Sequence, residues 1–156
     1  MTATSGQGKR LSPAFFALYH LLLFTWGLSC SLPGAVLTLI LRLSRPASRR
    51  PCFYGAPVTR WEKEWSMCLG LFLFVSPDED GKTPGVLPHE WGHSLQCAVL
   101  GPLFWPLVAL PSLLWAFLPF FRRRRKRLHL PYMSLFTEAQ ATRLGERFTG
   151  LPSERF

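Results

Sequence analysis

The sequence predicts a mainly α integral membrane protein with a short β element. Three observations predict it. No Lys, Arg, Asp or Glu interrupts Pro13 to Leu41 or Ser94 to Phe121, and each run exceeds the roughly 20 helical residues that cross a hydrocarbon core of about 30 Å. Basic clusters follow each run: Arg42, Arg45, Arg49 and Arg50 after the first, and the unbroken stretch Arg122 to Arg127 after the second. Finally, His89-Glu90-Trp91-Gly92-His93 sets two imidazoles four residues apart, the spacing of neighbours on one helix face.

A chain of 156 residues is one domain at most. Its net charge of +9 lies outside the apolar runs. Basic residues flanking a membrane segment mark the cytoplasmic side and attract anionic lipid. No interleaved aromatics or nucleic-acid module accompany them, so the expected partner is the lipid membrane and not a nucleic acid. The cysteines, Cys30, Cys52, Cys68 and Cys97, show no CxxC spacing, which argues against a disulfide scaffold or a zinc knuckle. Cys97 extends the stripe of His93 and reads as a small buried apolar residue.

Taken in order, residues 1–12 are polar and are expected to be a disordered tail. Residues 13–43 form the first transmembrane segment. Lys9 and Arg10 precede it as in a signal peptide, but the apolar run is too long for one. Leu32-Pro33-Gly34 is expected to kink it, and His20 to meet a backbone carbonyl or an interface. Residues 44–65 read as a basic linker ending in interface aromatics, Trp61 and Trp65.

Residues 66–121 hold a strand, the motif helix and a proline-broken membrane segment. Met67 to Val75 is apolar and too short to span, so a strand is expected there. Asp78-Glu79-Asp80-Gly81 reads as a turn, since a calcium loop needs more length and a final Glu. The motif helix must begin near Leu87, because Pro88 is tolerated only in a first turn. It can run through Leu100. Gly101-Pro102, Pro106, Pro111 and Pro119 then suggest a kinked span or a re-entrant hairpin. The simplest topology has one crossing at 14–41 and a hairpin at 94–121, with the motif at the cytoplasmic membrane surface. Residues 122–156 hold the basic cluster and a short helix. Thr-x-x-Gln capping spacing starts that helix at Thr137 and leaves Glu138 exposed in its first turn, with an end near Gly145.

His89 and His93 can reach one metal ion together. Zinc with three protein ligands and an open position lowers the pKa of a bound water to about 7. Glu90, beside the histidines, can take that proton as a general base. Chance produces the pattern about 0.004 times in a chain of this make-up, so a third ligand must support it. The extended metzincin pattern would place a His at position 99, where Val99 stands, and no Leu-Asp-Gly motif follows. The downstream carboxylates are Glu138, Glu146 and Glu154.

Glu138-Ala139-Gln140-Ala141-Thr142 resembles the Glu-x-x-Ala-Asp ligand helix of gluzincin-like membrane zinc metallopeptidases, a group that includes prenyl-protein endopeptidases and heat-shock membrane proteases. His89 to Gln96 is also similar to the His-Glu-x-Gly-His-x-x-Gln helix of small bacterial membrane proteins. Their Leu-Gly-Pro, Leu-Pro-Ser and Phe-x-Thr-Glu segments resemble Leu100-Gly101-Pro102, Leu110-Pro111-Ser112 and Leu135-Phe136-Thr137-Glu138. The resemblance covers roughly residues 66–146. It implies a zincin-like active-site helix, with His89, His93 and Glu138 as Zn2+ ligands and Glu90 as catalytic base. It further implies that Cys68 to Phe74 pairs with an extended peptide or protein substrate. Tyr132 or His129 is a candidate to stabilise an oxyanion. One departure stands out. The family's Asp that orients a ligand imidazole is Thr142 here. That leaves an alternative: a catalytically weak or inactive membrane protein whose structural zinc site acts in partner binding.

Overall fold

The computed structural model describes residues 8–77 and 85–154. The expected turn Asp78-Glu79-Asp80-Gly81 and the first seven residues of the expected tail lie outside them. Helix α1, Pro13–Phe24, begins where the Ser12 hydroxyl accepts the Phe15 N–H at 3.2 Å and Pro13 takes the first helical position. Helix α2, Leu28–Ser44, leaves α1 at a bend of 89°. The bend is at Thr25–Gly27, not at Pro33, which sits inside α2. Thr25 turns its hydroxyl back onto Leu21 O at 2.6 Å, and the Trp26 indole donates to Val99 O at 3.2 Å. The expected crossing at 14–41 is therefore two helices. Among the described residues no single helix is long and apolar enough to cross a membrane. Two bent pairs meet that criterion together, α1 with α2, and Leu87–Leu103 with Trp105–Phe117, the latter bent by 119°.

The stretch expected as a linker folds into a hairpin, β1 Arg49–Phe53 and β2 Ala56–Arg60, turning on Tyr54 and Gly55, both with positive φ. The apolar run Met67 to Val75 is likewise two strands, β3 Met67–Leu69 and β4 Phe72–Val75. Gly70, at φ +60°, reverses the chain in a conformation that glycine adopts without strain. The sheet order is β1-β2-β4-β3, with β2 and β4 parallel and the other pairs antiparallel, so β3 is an edge.

Helix α3, Leu87–Leu100, starts where Pro88 requires. A tight turn at Gly101–Leu103 and one π-helical turn at Trp105–Ala109 lead into α4, Leu110–Phe117. Helix α5, Pro119–Leu128, carries the basic run, and α6 spans Phe136–Thr149. Thr137 does not cap α6; its hydroxyl lies 3.4 Å from Ser112 Oγ instead. The helix passes Gly145 and stops at Gly150, whose φ is +71°.

Helices α3 and α6 pack antiparallel. Gln96 Nε2 donates to Thr137 O at 3.0 Å, Gly92 meets Ala141, and Gly145 meets Pro88. A Cβ on either glycine would collide with the facing carbonyl. Trp91, fully buried, packs with tilted or edge-on ring contacts among Phe15, Tyr19, Tyr54 and Phe148. Helix α1 runs alongside α3 in the same direction, with the Tyr19 hydroxyl 2.6 Å from Ser94 Oγ. His20 meets two carbonyls, Phe16 O at 2.7 Å and Gly55 O at 3.1 Å.

Candidate metal centre

Two turns of α3 aim His89 and His93 at α6, and α6 answers with Glu138. His89 Nε2 and His93 Nε2 lie 3.2 and 3.3 Å from Glu138 Oε2. The three candidate ligand atoms all lie within 4.8 Å of one another. Two ligands bound to zinc at 2.0–2.1 Å in a tetrahedral site stand about 3.3 Å apart. The spacing here therefore suits a metal ion between them. Glu138 is 1% exposed, not exposed as the capping argument expects, because the α3–α6 contact closes over it. A buried carboxylate is unfavourable without a charged partner. Burial pushes the Glu138 carboxyl up, but hydrogen bonds and charge from His89 and His93 outweigh it and hold the group well below the usual carboxylate range. Glu138 Oε1 is buried and has no hydrogen-bond partner among the described residues.

The outer nitrogens of both imidazoles are fixed. The Thr142 hydroxyl lies 3.1 Å from Glu138 O and 3.4 Å from Met133 Sδ, either of which takes its single proton. Toward His89 Nδ1, at 2.9 Å, it therefore accepts. Gln96 donates its amide N–H groups to Thr137 O at 3.0 Å and Gln140 Oε1 at 2.9 Å. Its Oε1 thus accepts from His93 Nδ1 at 2.8 Å. With protons at both Nδ1 positions, both Nε2 atoms face the same carboxylate oxygen, each donating to it when the ring is protonated and offering a lone pair to a cation when it is neutral. A proton on His93, whose pKa is raised to about 9 because burial is outweighed by Glu138, or a metal ion among the three atoms balances the carboxylate. The donor set, two imidazoles and one carboxylate, could hold a metal ion and is not specific to zinc. Sequence reasoning treats Thr142 as a lost partner and gives Gln96 no role. The signal for Gln96 is its position three residues after His93, on the same helix face.

The cluster borders a cavity of about 640 Å3. Glu90, buried beside the histidines, also lines it. Edge strand β3 forms one wall with Met67, Cys68 and Leu69, and Phe104, Val108, Leu113 and Phe117 form an apolar wall opposite. Tyr132 reaches the same space. Burial first, then the Glu138 and Glu90 carboxylates, push its phenol well above the ordinary range, so the hydroxyl keeps its proton. His129 is exposed in a left-handed conformation after α5 and does not line this cavity. Glu146 accepts from Ser153 N–H at 3.0 Å near the end of α6, and Glu154 binds Gly85 O through its backbone. Of the three downstream carboxylates, the structure brings Glu138 alone to the histidines among the described residues. No family model, no curated protein and no solved structure matches the chain.

Proposed function

We propose that this chain is a membrane-embedded zinc metallopeptidase that hydrolyses peptide bonds near the cytoplasmic membrane surface. The observation that carries the reading is the convergence of His89, His93 and Glu138 on one buried point beside Glu90 and an edge strand. His89 Nε2, His93 Nε2 and Glu138 Oε2 would hold the ion. Bound zinc supplies Lewis acidity to an attacking water and to the scissile carbonyl. The protein's own groups do the rest. An extended peptide adds to β3 through main-chain hydrogen bonds, and the apolar wall seats a bulky side chain. Water attacks the carbonyl carbon, the C–N bond breaks, and Glu90 carries a proton from the water to the departing nitrogen. The Tyr132 hydroxyl donates to the oxygen where negative charge develops. Two long runs without charge and the basic clusters beside them support the membrane part.

The test is zinc content of the full chain purified in detergent, with turnover on a fluorogenic library of apolar peptides. About one zinc per chain is expected, lost in both His93→Ala and Glu138→Ala. Glu90→Gln keeps the zinc and lowers turnover by about 10²–10⁴-fold. Absence of zinc from the folded protein refutes the metal site. Retained zinc with no Glu90-dependent hydrolysis favours the structural site acting in partner binding.

A further inference from the structure

We infer that both bent helix pairs enter one leaflet of an anionic bilayer and return to the side they came from, so that the protein is anchored without crossing. This rests on the membrane reading above and not on the metal.

The molecule is polarised along α3. At the Leu100 end the two bends lie side by side. The Trp26 indole donates to Val99 O at 3.2 Å, Cys30 Sγ lies 3.8 Å from Gly101 O, and Gly101 packs directly on the Trp26 ring. The tips of these bends are apolar and open: Trp26 is 50% exposed, Val99 75%, and Phe24 and Leu103 are exposed beside them. Both uncharged runs bend there, by 89° and 119°.

The opposite end is basic. Lys9 is held on the C-terminus of α6 by its N–H to Thr149 O at 2.6 Å and its Nζ to Arg147 O at 2.9 Å. Arg45 pairs with Glu62 at 2.8 Å. Helix α4 turns back so that the Phe117 ring meets Trp65 at 5.9 Å, and the Arg122 to Arg127 run follows at once. Lys9 thus lies at the His89 end of α3, where Gly145 of α6 meets Pro88, and Arg125 sits 5.6 Å from the Trp115 ring and 5.3 Å from the Tyr132 ring, Tyr132 bordering the cavity with Trp65 and Glu64. In the inferred arrangement the residues before α1, after α2 and after α4 lie on one side. The arms are also short. Helix α1 and helix α3 rise about 18 and 21 Å, less than the hydrocarbon thickness of about 30 Å.

Two features select an anionic bilayer as the occupant of the apolar end. The uncharged bends match a hydrocarbon interior, and the cations ring the level at which lipid phosphates would lie. A second copy of the chain, sharing the same positive charge, would oppose its own ring of arginines.

The test uses the full chain with Cys52→Ser, Cys52 being the exposed native thiol, and single cysteines at Lys9, Arg45, Arg127 or Trp26. Sealed membrane vesicles from expressing cells are treated with a membrane-impermeant maleimide. Lys9→Cys, Arg45→Cys and Arg127→Cys are expected to label from the same face, and Trp26→Cys to label from neither until detergent is added. Labelling of Lys9→Cys and Arg45→Cys from opposite faces overturns the inference, since α1–α2 then crosses, while leaving the membrane reading intact. A chain that stays in the aqueous fraction overturns both. Purified protein should bind vesicles of phosphatidylcholine with phosphatidylglycerol at least tenfold more tightly than phosphatidylcholine alone, and replacing Arg122–Arg127 by glutamines should remove the difference. No lipid preference overturns the anionic part. Free labelling of Trp26→Cys in membranes, or its protection only in a dimer in detergent, overturns the insertion.

Discussion

At the residue scale, Thr142 decides how well the site is made. The Glu-x-x-Ala-Asp pattern that this segment resembles has Asp there, whose charge both accepts the imidazole N–H and makes the ring a better donor to metal. Thr142 keeps the geometry, at 2.9 Å from His89 Nδ1, but offers a neutral oxygen. Thr142→Val removes the acceptor at nearly constant volume and should weaken zinc binding by about 10–100-fold. Thr142→Ser should retain most of it. Competition titration against a chromogenic chelator measures both, and equal affinity in the Val variant would show that the hydroxyl does not orient the ring. Thr142→Asp should tighten binding. The resemblance brings out Thr142 in the sequence. That the hydroxyl still reaches His89 was not legible, because it depends on the register of α6 against α3.

At the element scale, the site is a property of the α3–α6 pair. Gly92 and Gly145 let the two backbones touch, and that contact sets the distance from the histidines to Glu138. Gly92→Ala or Gly145→Ala must push the helices apart, at a cost of about 1–3 kcal/mol. For a chain of this size Tm should fall by roughly 2–12 °C, and zinc per chain should fall with it. Unchanged Tm in both variants would mean that the close approach does not hold the pair. Bound metal clamps the same two helices, so chelation should act in the same direction. Free zinc at a hundredfold its Kd contributes about 2.7 kcal/mol to the folded state, and a chelator should lower Tm accordingly in a scan of the unmodified protein. The start of α3 was legible because Pro88 has one tolerable place in a helix. The end of α6 was not. Gly145 looks like a terminator in sequence, whereas its missing side chain serves a neighbouring helix. The strands were half legible. Continuous apolarity marks Met67 to Val75, but Gly70 reverses the chain inside it, and the β1–β2 hairpin sets only scattered apolar residues among Arg and Pro.

At the scale of the whole molecule, the proposed function and the inferred anchoring would make the position of the cavity along α3 a link between anchoring and substrate choice. From His93 to Gly101 the helix rises about 12 Å. With the bends inserted, that height sets the metal cluster near the level of the lipid headgroups. The same returning segment, Phe104 to Phe117, supplies both the exposed apolar bend and the apolar wall of the cavity. A peptide would then arrive from the membrane plane, its apolar side chains never fully hydrated on the way. Distance from the bilayer should therefore limit cleavage. A set of substrates with one cleavable apolar segment, joined to a membrane anchor by flexible spacers of increasing length, gives the measurement. Reconstituted enzyme should cut the shortest-spaced substrates fastest and lose rate as the effective concentration at the surface falls. In detergent the preference should vanish, because anchor and enzyme no longer share a surface. Rates independent of spacer length in vesicles would place the cavity mouth in the aqueous phase and leave the bends as an anchor with no part in substrate selection.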